Sequence, residues 1–97
     1  MSVALERAVG AVQPATLLAR VQRAWPEVTG PVMAAEASPV SERDGIVTVS
    51  CSAAVWAQEL ELLGSDLRAR LSAHPALAGG GSIERLRFVV GSGTNVN

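Results

Sequence analysis

Hydrophobic positions change their period sharply near the middle of the chain. In residues 46–51 (IVTVSC), Val47, Val49 and Cys51 alternate with Ile46, Thr48 and Ser50. That two-residue period, with β-branched side chains on both faces, predicts a strand. Beyond it the spacing lengthens. Trp56, Leu60, Leu63, Leu67 and Leu71 recur at intervals of four, three, four and four, which draws one apolar stripe down a single long helix. Ser52 suits the N-cap of that helix, because its hydroxyl can accept from an otherwise unpartnered N–H of the first turn. Trp56 is the largest apolar group there, and its place on the stripe predicts core packing.

The flanking segments are read against this strand and helix. Residues 3–12 have helical spacing through Leu5, Ala8, Val9 and Val12, until Pro14 ends or restarts it. Residues 15–25 carry a stripe of Leu17, Leu18, Val21 and Trp25, with Arg20, Gln22 and Arg23 largely off it. Trp25-Pro26 and Gly30-Pro31 read as breaks, with one or two helical turns over residues 32–36. Residues 37–42 form a weak strand that Pro39 marks as an edge or a strand start. Arg43-Asp44-Gly45 is a hairpin signal. After the long helix, His74-Pro75 and three glycines at 79–81 make a flexible exit, with His74 expected at the surface. In residues 83–90, Leu86, Phe88 and Val90 alternate with Arg85, Arg87 and Val89. A strand, a helix and a further strand imply a parallel pair with a right-handed crossover.

The expected architecture is therefore an α+β two-layer sandwich in the order α-α-β-β-α-β. Its three-stranded mixed sheet is covered by helices on one face. One domain spans residues 1–97, with a core at about 15–90 and a flexible tail at 91–97.

Composition sharpens this in three places. The chain is 48% hydrophobic and 18% charged, without an apolar run long enough to span a bilayer or a signal segment, which predicts a soluble cytoplasmic protein. Its one cysteine, Cys51, falls on the core face of the strand and reads as a small buried hydrophobe. The eight basic residues are all arginine and the net charge is −1, which argues against a strong sequence-independent hold on nucleic acid.

Catalytic chemistry is not evident. His74 precedes a proline in a loop, no Cys/His set has zinc spacing, and Glu59 and Glu61 face different directions on a helix. Ser52 and Ser65 read as caps, and the glycines at 79–81 lack the lysine and helix start of a phosphate loop. No enzyme activity, cofactor, metal or small-molecule substrate is expected.

Four pieces in order carry a resemblance. They are Trp25-x-x-Val28-x-Gly30; Asp44-Gly45 leading to Val47-x-Val49; Ser52-x-x-x-Trp56-Ala57-x-Glu59-Leu60; and Ile83-x-x-Leu86-x-Phe88. Together, over about residues 15–90, they resemble the DciA family. The resemblance implies a K-homology-like fold and a role in bacterial DNA replication, in which the partner is the replicative helicase and the task is placing it on single-stranded DNA. The pattern has two departures. A short GSGTNVN tail stands where some members carry a basic or disordered extension. No Gly-x-x-Gly loop is present, Gly64-Ser65-Asp66-Leu67 being the nearest stretch.

Three readings follow: a helicase-binding interaction module, a single-stranded nucleic-acid binder using the exposed sheet face, or a scaffold or oligomerisation domain. Few aromatics disfavour the second. Candidate phosphate contacts, weak and salt-sensitive, are Arg20, Arg23, Arg85 and Arg87. Candidate partner contacts are Glu61, Leu62, Asp66 and Arg70, with Leu62 either an exposed anchor or an extension of the buried stripe. The motif residues Trp25, Gly30, Gly45, Ser52, Trp56, Leu60 and Phe88 are assigned structural roles. No membrane contact is expected.

Overall fold

A computed structural model describes residues 16–91. The helix expected at 3–12, Pro14 and residues 92–97 of the tail lie outside the described residues. Helix α1 (Leu17–Thr29) starts at Thr16, whose Oγ1 accepts from the Ala19 N–H at 3.0 Å. It does not stop at Trp25 but runs through Pro26. The donor lost at Pro26 would have served the Gln22 carbonyl, and both residues are exposed, so water can replace it. Gly30 ends the helix with φ +93°, a conformation that favours glycine, and Pro31 opens the short helix α2 (Pro31–Glu36).

Strand β1 (Ala37–Arg43) turns through Asp44 and Gly45, both at positive φ, into β2 (Ile46–Cys51). Then come α3 (Ala54–Leu62), α4 (Gly64–Ala73), a 3₁₀ turn (Pro75–Leu77) and β3 (Arg85–Val90). The sheet order is β1-β2-β3, antiparallel across the hairpin and parallel between β2 and β3. The mixed α+β order expected from the sequence is the order found.

Parity along β2 decides what the sheet buries. Val47, Val49 and Cys51 are buried under the helices with Val21, Trp25, Leu60, Leu67 and Leu71. Burial pushes the Cys51 thiol pKa up, consistent with a packing residue rather than a nucleophile. Ile46, Thr48 and Ser50 face the other way, and among the described residues no helix covers them.

Gly45 fastens the sheet at the hairpin. Its N–H donates to Glu42 Oε2 at 2.7 Å, and its carbonyl accepts from the Glu84 and Arg85 N–H groups at 2.8 and 3.3 Å. A Cβ there would stand 2.7 Å from Glu84 Cγ and 3.1 Å from the Ser82 carbonyl, so only glycine lets the start of β3 come this close.

Four expectations need correction. The long helix is two, broken at Leu63, whose N–H bonds the Leu60 carbonyl in a tighter turn before Gly64, a poor helix former, begins α4. Leu63 is consequently half-exposed, while Leu67 and Leu71 remain in the core. Ser52 and Ser65 cap nothing: Ala53 and Leu63 hold those positions without a side-chain bond. Ser52 Oγ donates instead to Glu36 Oε1 at 2.5 Å, and its N–H to the Glu36 carbonyl at 2.8 Å, joining the ends of α2 and β2. His74 is not simply at the surface. Its Nδ1 accepts from the Ala76 N–H at 3.0 Å, which leaves the ring proton on Nε2, 2.6 Å from Glu27 Oε1. Finally, the core packing expected of Trp56 is only partly found, and Trp25 is the tryptophan that fills the core. Trp25 is 2% exposed, whereas Trp56 is only partly buried at the margin of the core.

Candidate interaction surfaces

The sheet's uncovered face gathers arginines by register. Arg43 stands opposite Ile46, which in turn stands opposite Arg85; Thr48 pairs with Ser41 on one side and Arg87 on the other. With strands about 4.8 Å apart, Arg43 and Arg85 flank Ile46 across a patch about 10 Å wide. A concavity of about 560 Å³ overlies these residues. Among the described residues, the guanidinium groups of Arg43, Arg85 and Arg87 have no ion pair or hydrogen bond. Neither Glu42 nor Glu84, acids adjacent to Arg43 and Arg85 along the chain, pairs with them: Glu42 is held by the Gly45 N–H. Arg43 was absent from the sequence-derived set. Its place was nonetheless legible, since a two-residue Asp-Gly loop sets the residues on either side of it opposite one another.

Arg20 and Arg23 are not brought to this patch. Arg20 lies on α1, and its Nη1 donates to the Ala76 and Ala78 carbonyls, each at 3.2 Å. A Cβ on Gly80 would overlap the Arg20 side chain, so this guanidinium holds the loop after α4. Arg23 is exposed on the same helix.

The other candidates cluster around the break between α3 and α4. Leu62 is 83% exposed, which removes the alternative that it widens the buried stripe. Val55, seven residues earlier and so on the same side of α3, is also exposed. Asp66 and Arg70 form an exposed (i, i+4) pair at 3.6 Å, worth little in stability. Arg70 also reaches the Val28 carbonyl at 3.4 Å. Glu61 borders a second groove of about 560 Å³, between the helix break and β3, where Gly64, Ser65 and Arg68 oppose Leu86 and Phe88.

The motif residues occupy the positions that shape these surfaces. Trp25 and Leu60 are core, Gly30 and Gly45 are turns at positive φ, Ser52 is the clasp to Glu36, and Trp56 and Phe88 pack partly buried against the core. Among the described residues no three potential ligands come together for a metal, and no helix is long and apolar enough to cross a membrane.

With this geometry in place, comparison with known proteins identifies the family. The family model described as "Dna[CI] antecedent, DciA" matches residues 2–88. A UPF0232 protein of Rhodococcus jostii (strain RHA1) is 36% identical over 77 residues, covering 79% of this chain. The aligned stretch is 37% of that relative's length.

Proposed function

Because this chain belongs to the DciA family, we propose that it is a non-enzymatic factor of bacterial DNA replication. In this reading it acts in the cytoplasm, binds the replicative helicase and assists its loading on single-stranded DNA. The match across residues 2–88 carries the reading. The surfaces support it with two distinct chemistries. At the end of α3, exposed Leu62 with Glu61 beside it and Asp66 and Arg70 beyond offers a small apolar anchor with a charged rim, the arrangement of a modest protein interface. On the sheet, Arg43, Arg85 and Arg87 are unpaired and available to phosphates, with Arg23 a more distant contributor. Arg20 is left out, because loop carbonyls already occupy its guanidinium.

Mixing the purified chain with the helicase of the same organism, by calorimetry or co-elution, tests the first half. A complex is expected, weakened by Leu62→Ser and by Glu61→Arg. Its absence with the wild-type chain at tens of micromolar removes the helicase assignment. For DNA, affinity for a labelled single strand should be weak, indifferent to sequence and steeply lowered by salt. Binding that ignores salt, or that survives the Arg85→Ala/Arg87→Ala double change, overturns the phosphate role.

The unpaired arginine face favours a second reading, a nucleic-acid-binding module whose helicase contact is incidental. DNA binding without helicase binding in the same preparations would select it.

A further inference from the structure

β3 is the last strand of the sheet and is paired on one side only. Both ends of its ladder fix the parity: the Arg85 N–H donates to the Gly45 carbonyl at 3.3 Å, and the Gly91 N–H to the Cys51 carbonyl at 2.7 Å. Residues 85, 87, 89 and 91 therefore turn their main-chain groups toward β2, and those of Leu86, Phe88 and Val90 point out of the sheet. Among the described residues nothing bonds those outward groups. The strand carries no proline, register shift or inward charge; of the devices that close an edge it has only the charges of Arg85 and Arg87 on its outer face.

The surroundings of this edge specify what would complete it. On the helix side, half-buried Leu86 and Phe88 line the groove under the α3–α4 break, and Val90, half-exposed, continues the apolar row. On the opposite side Arg85 and Arg87 are exposed and unpaired. We propose that this edge docks an extended segment of a partner protein as a fourth strand, with apolar and acidic residues in alternation. Main-chain pairing would come from Leu86, Phe88 and Val90. Alternate side chains would enter the groove against the same three residues, and the intervening ones would meet Arg85 and Arg87.

Charge selects this occupant over two others. A second copy of β3 would add arginines to a flank that already holds Arg43, Arg85 and Arg87. A nucleic acid in the groove would meet the Glu61 and Glu84 carboxylates beside its arginines, and its backbone would find no use for apolar Leu86 and Phe88. The proposal stands apart from the helicase reading, since it does not depend on which protein supplies the strand.

The test is an amide-resolved titration of the isotope-labelled full chain. The probe is a capped peptide of about ten residues alternating valine and glutamate, long enough for one ordinary strand. A valine–lysine peptide and a thymidine oligonucleotide are run beside it. With the valine–glutamate peptide, the Leu86, Phe88 and Val90 amides should shift and gain protection from solvent exchange. Arg85→Glu with Arg87→Glu should lower that affinity about tenfold and move the preference to the lysine peptide. Val90→Pro, which deletes one outward donor, should weaken binding severalfold. Binding that leaves those three amides unmoved, or no binding at millimolar peptide, overturns the proposal. So does protection of the same amides in the chain alone at dimer mass, or their response to the oligonucleotide and not the peptide. Should a variant unfold, the wild-type amide map decides alone.

Discussion

The two edges of the sheet are finished in opposite ways. Along β1, the Ala37 N–H donates to the Met33 carbonyl, the Ala37 carbonyl accepts from Trp25 Nε1 at 2.8 Å, and the Pro39 carbonyl accepts from Gln22 Nε2 at 3.0 Å. Pro39 has no N–H to leave open, and a shift in register between Pro39 and Ser41 interrupts the pairing before it resumes at Ser41–Thr48. Each of these outward groups is closed by something from α1 or α2. Along β3, the outward groups of Leu86, Phe88 and Val90 have no such partner among the described residues. An edge strand is an invitation to further pairing, and natural sheets usually refuse it on both sides. Here the refusal is built into the Ala37–Pro39 half of β1, and the open edge of β3 is the one flanked by the groove and the arginines.

The largest effect that could break this comparison is at Trp25, whose ring fills the core while its N–H closes β1. Trp25→Ala should cost about 3–5 kcal/mol in urea unfolding. The same change at Trp56, partly exposed, should cost clearly less. A larger loss at Trp56 would mean that the helix pair, rather than the closed edge, is where the core is anchored. Trp25→Phe keeps most of the apolar volume and isolates the Ala37 carbonyl, with an expected loss of about 1–3 kcal/mol.

Next in size is Val89→Pro. The ladder parity sends the Val89 N–H toward the Val49 carbonyl, inside the sheet. Removing it should cost about 3 kcal/mol or more and loosen β3 from β2, read as lost exchange protection along both strands. Retained stability would show the parity to be inverted.

How much of this asymmetry the sequence disclosed differs from element to element. Local signals were legible. The two-residue period gave β2 its observed bounds, Asp44-Gly45 gave the hairpin, Pro39 marked an edge, and the alternation around Leu86 and Phe88 gave the last strand. Features that depend on distant partners were not. Trp25 is buried deeper than Trp56 because its N–H meets a carbonyl twelve residues on, which no periodicity encodes. The break at Leu63 leaves no mark in the pattern because Leu60 and Leu67 are two helical turns apart, so the apolar stripe runs across the interruption unchanged. Ser52 has the chemistry of a cap and the position of one, yet Glu36 takes its hydroxyl. In the candidate sites, Arg85 and Arg87 were placed together by strand alternation, while Arg20 was separated from them by a loop contact with residues 76 and 78.

Gln22→Ala is the milder way to open β1. The side chain lies on an exposed stretch of α1, so the change removes one donor and little packing. A loss of about 1 kcal/mol is expected, since the Pro39 carbonyl exchanges a protein partner for water. If the loss is nil and exchange at β1 does not change, that bond contributes nothing to closing the edge.

The smallest effect is the most informative about the open side. At Val90 the N–H points out of the sheet, so Val90→Pro deletes a donor that nothing in the described fold uses. Proline is tolerated on an edge strand when its nitrogen faces away from the neighbouring strand. Val89 before it is already extended, as a residue preceding proline prefers. The Val90 side chain is 49% exposed, so little burial is lost with it. The expected change in unfolding free energy is within about 0.5 kcal/mol, with the amide pattern of β2 preserved. Set beside Val89→Pro, one residue away on the same strand, this contrast measures ladder parity directly. A loss above about 2 kcal/mol at Val90 would mean that its N–H already has a partner, and the edge would then be closed on both sides.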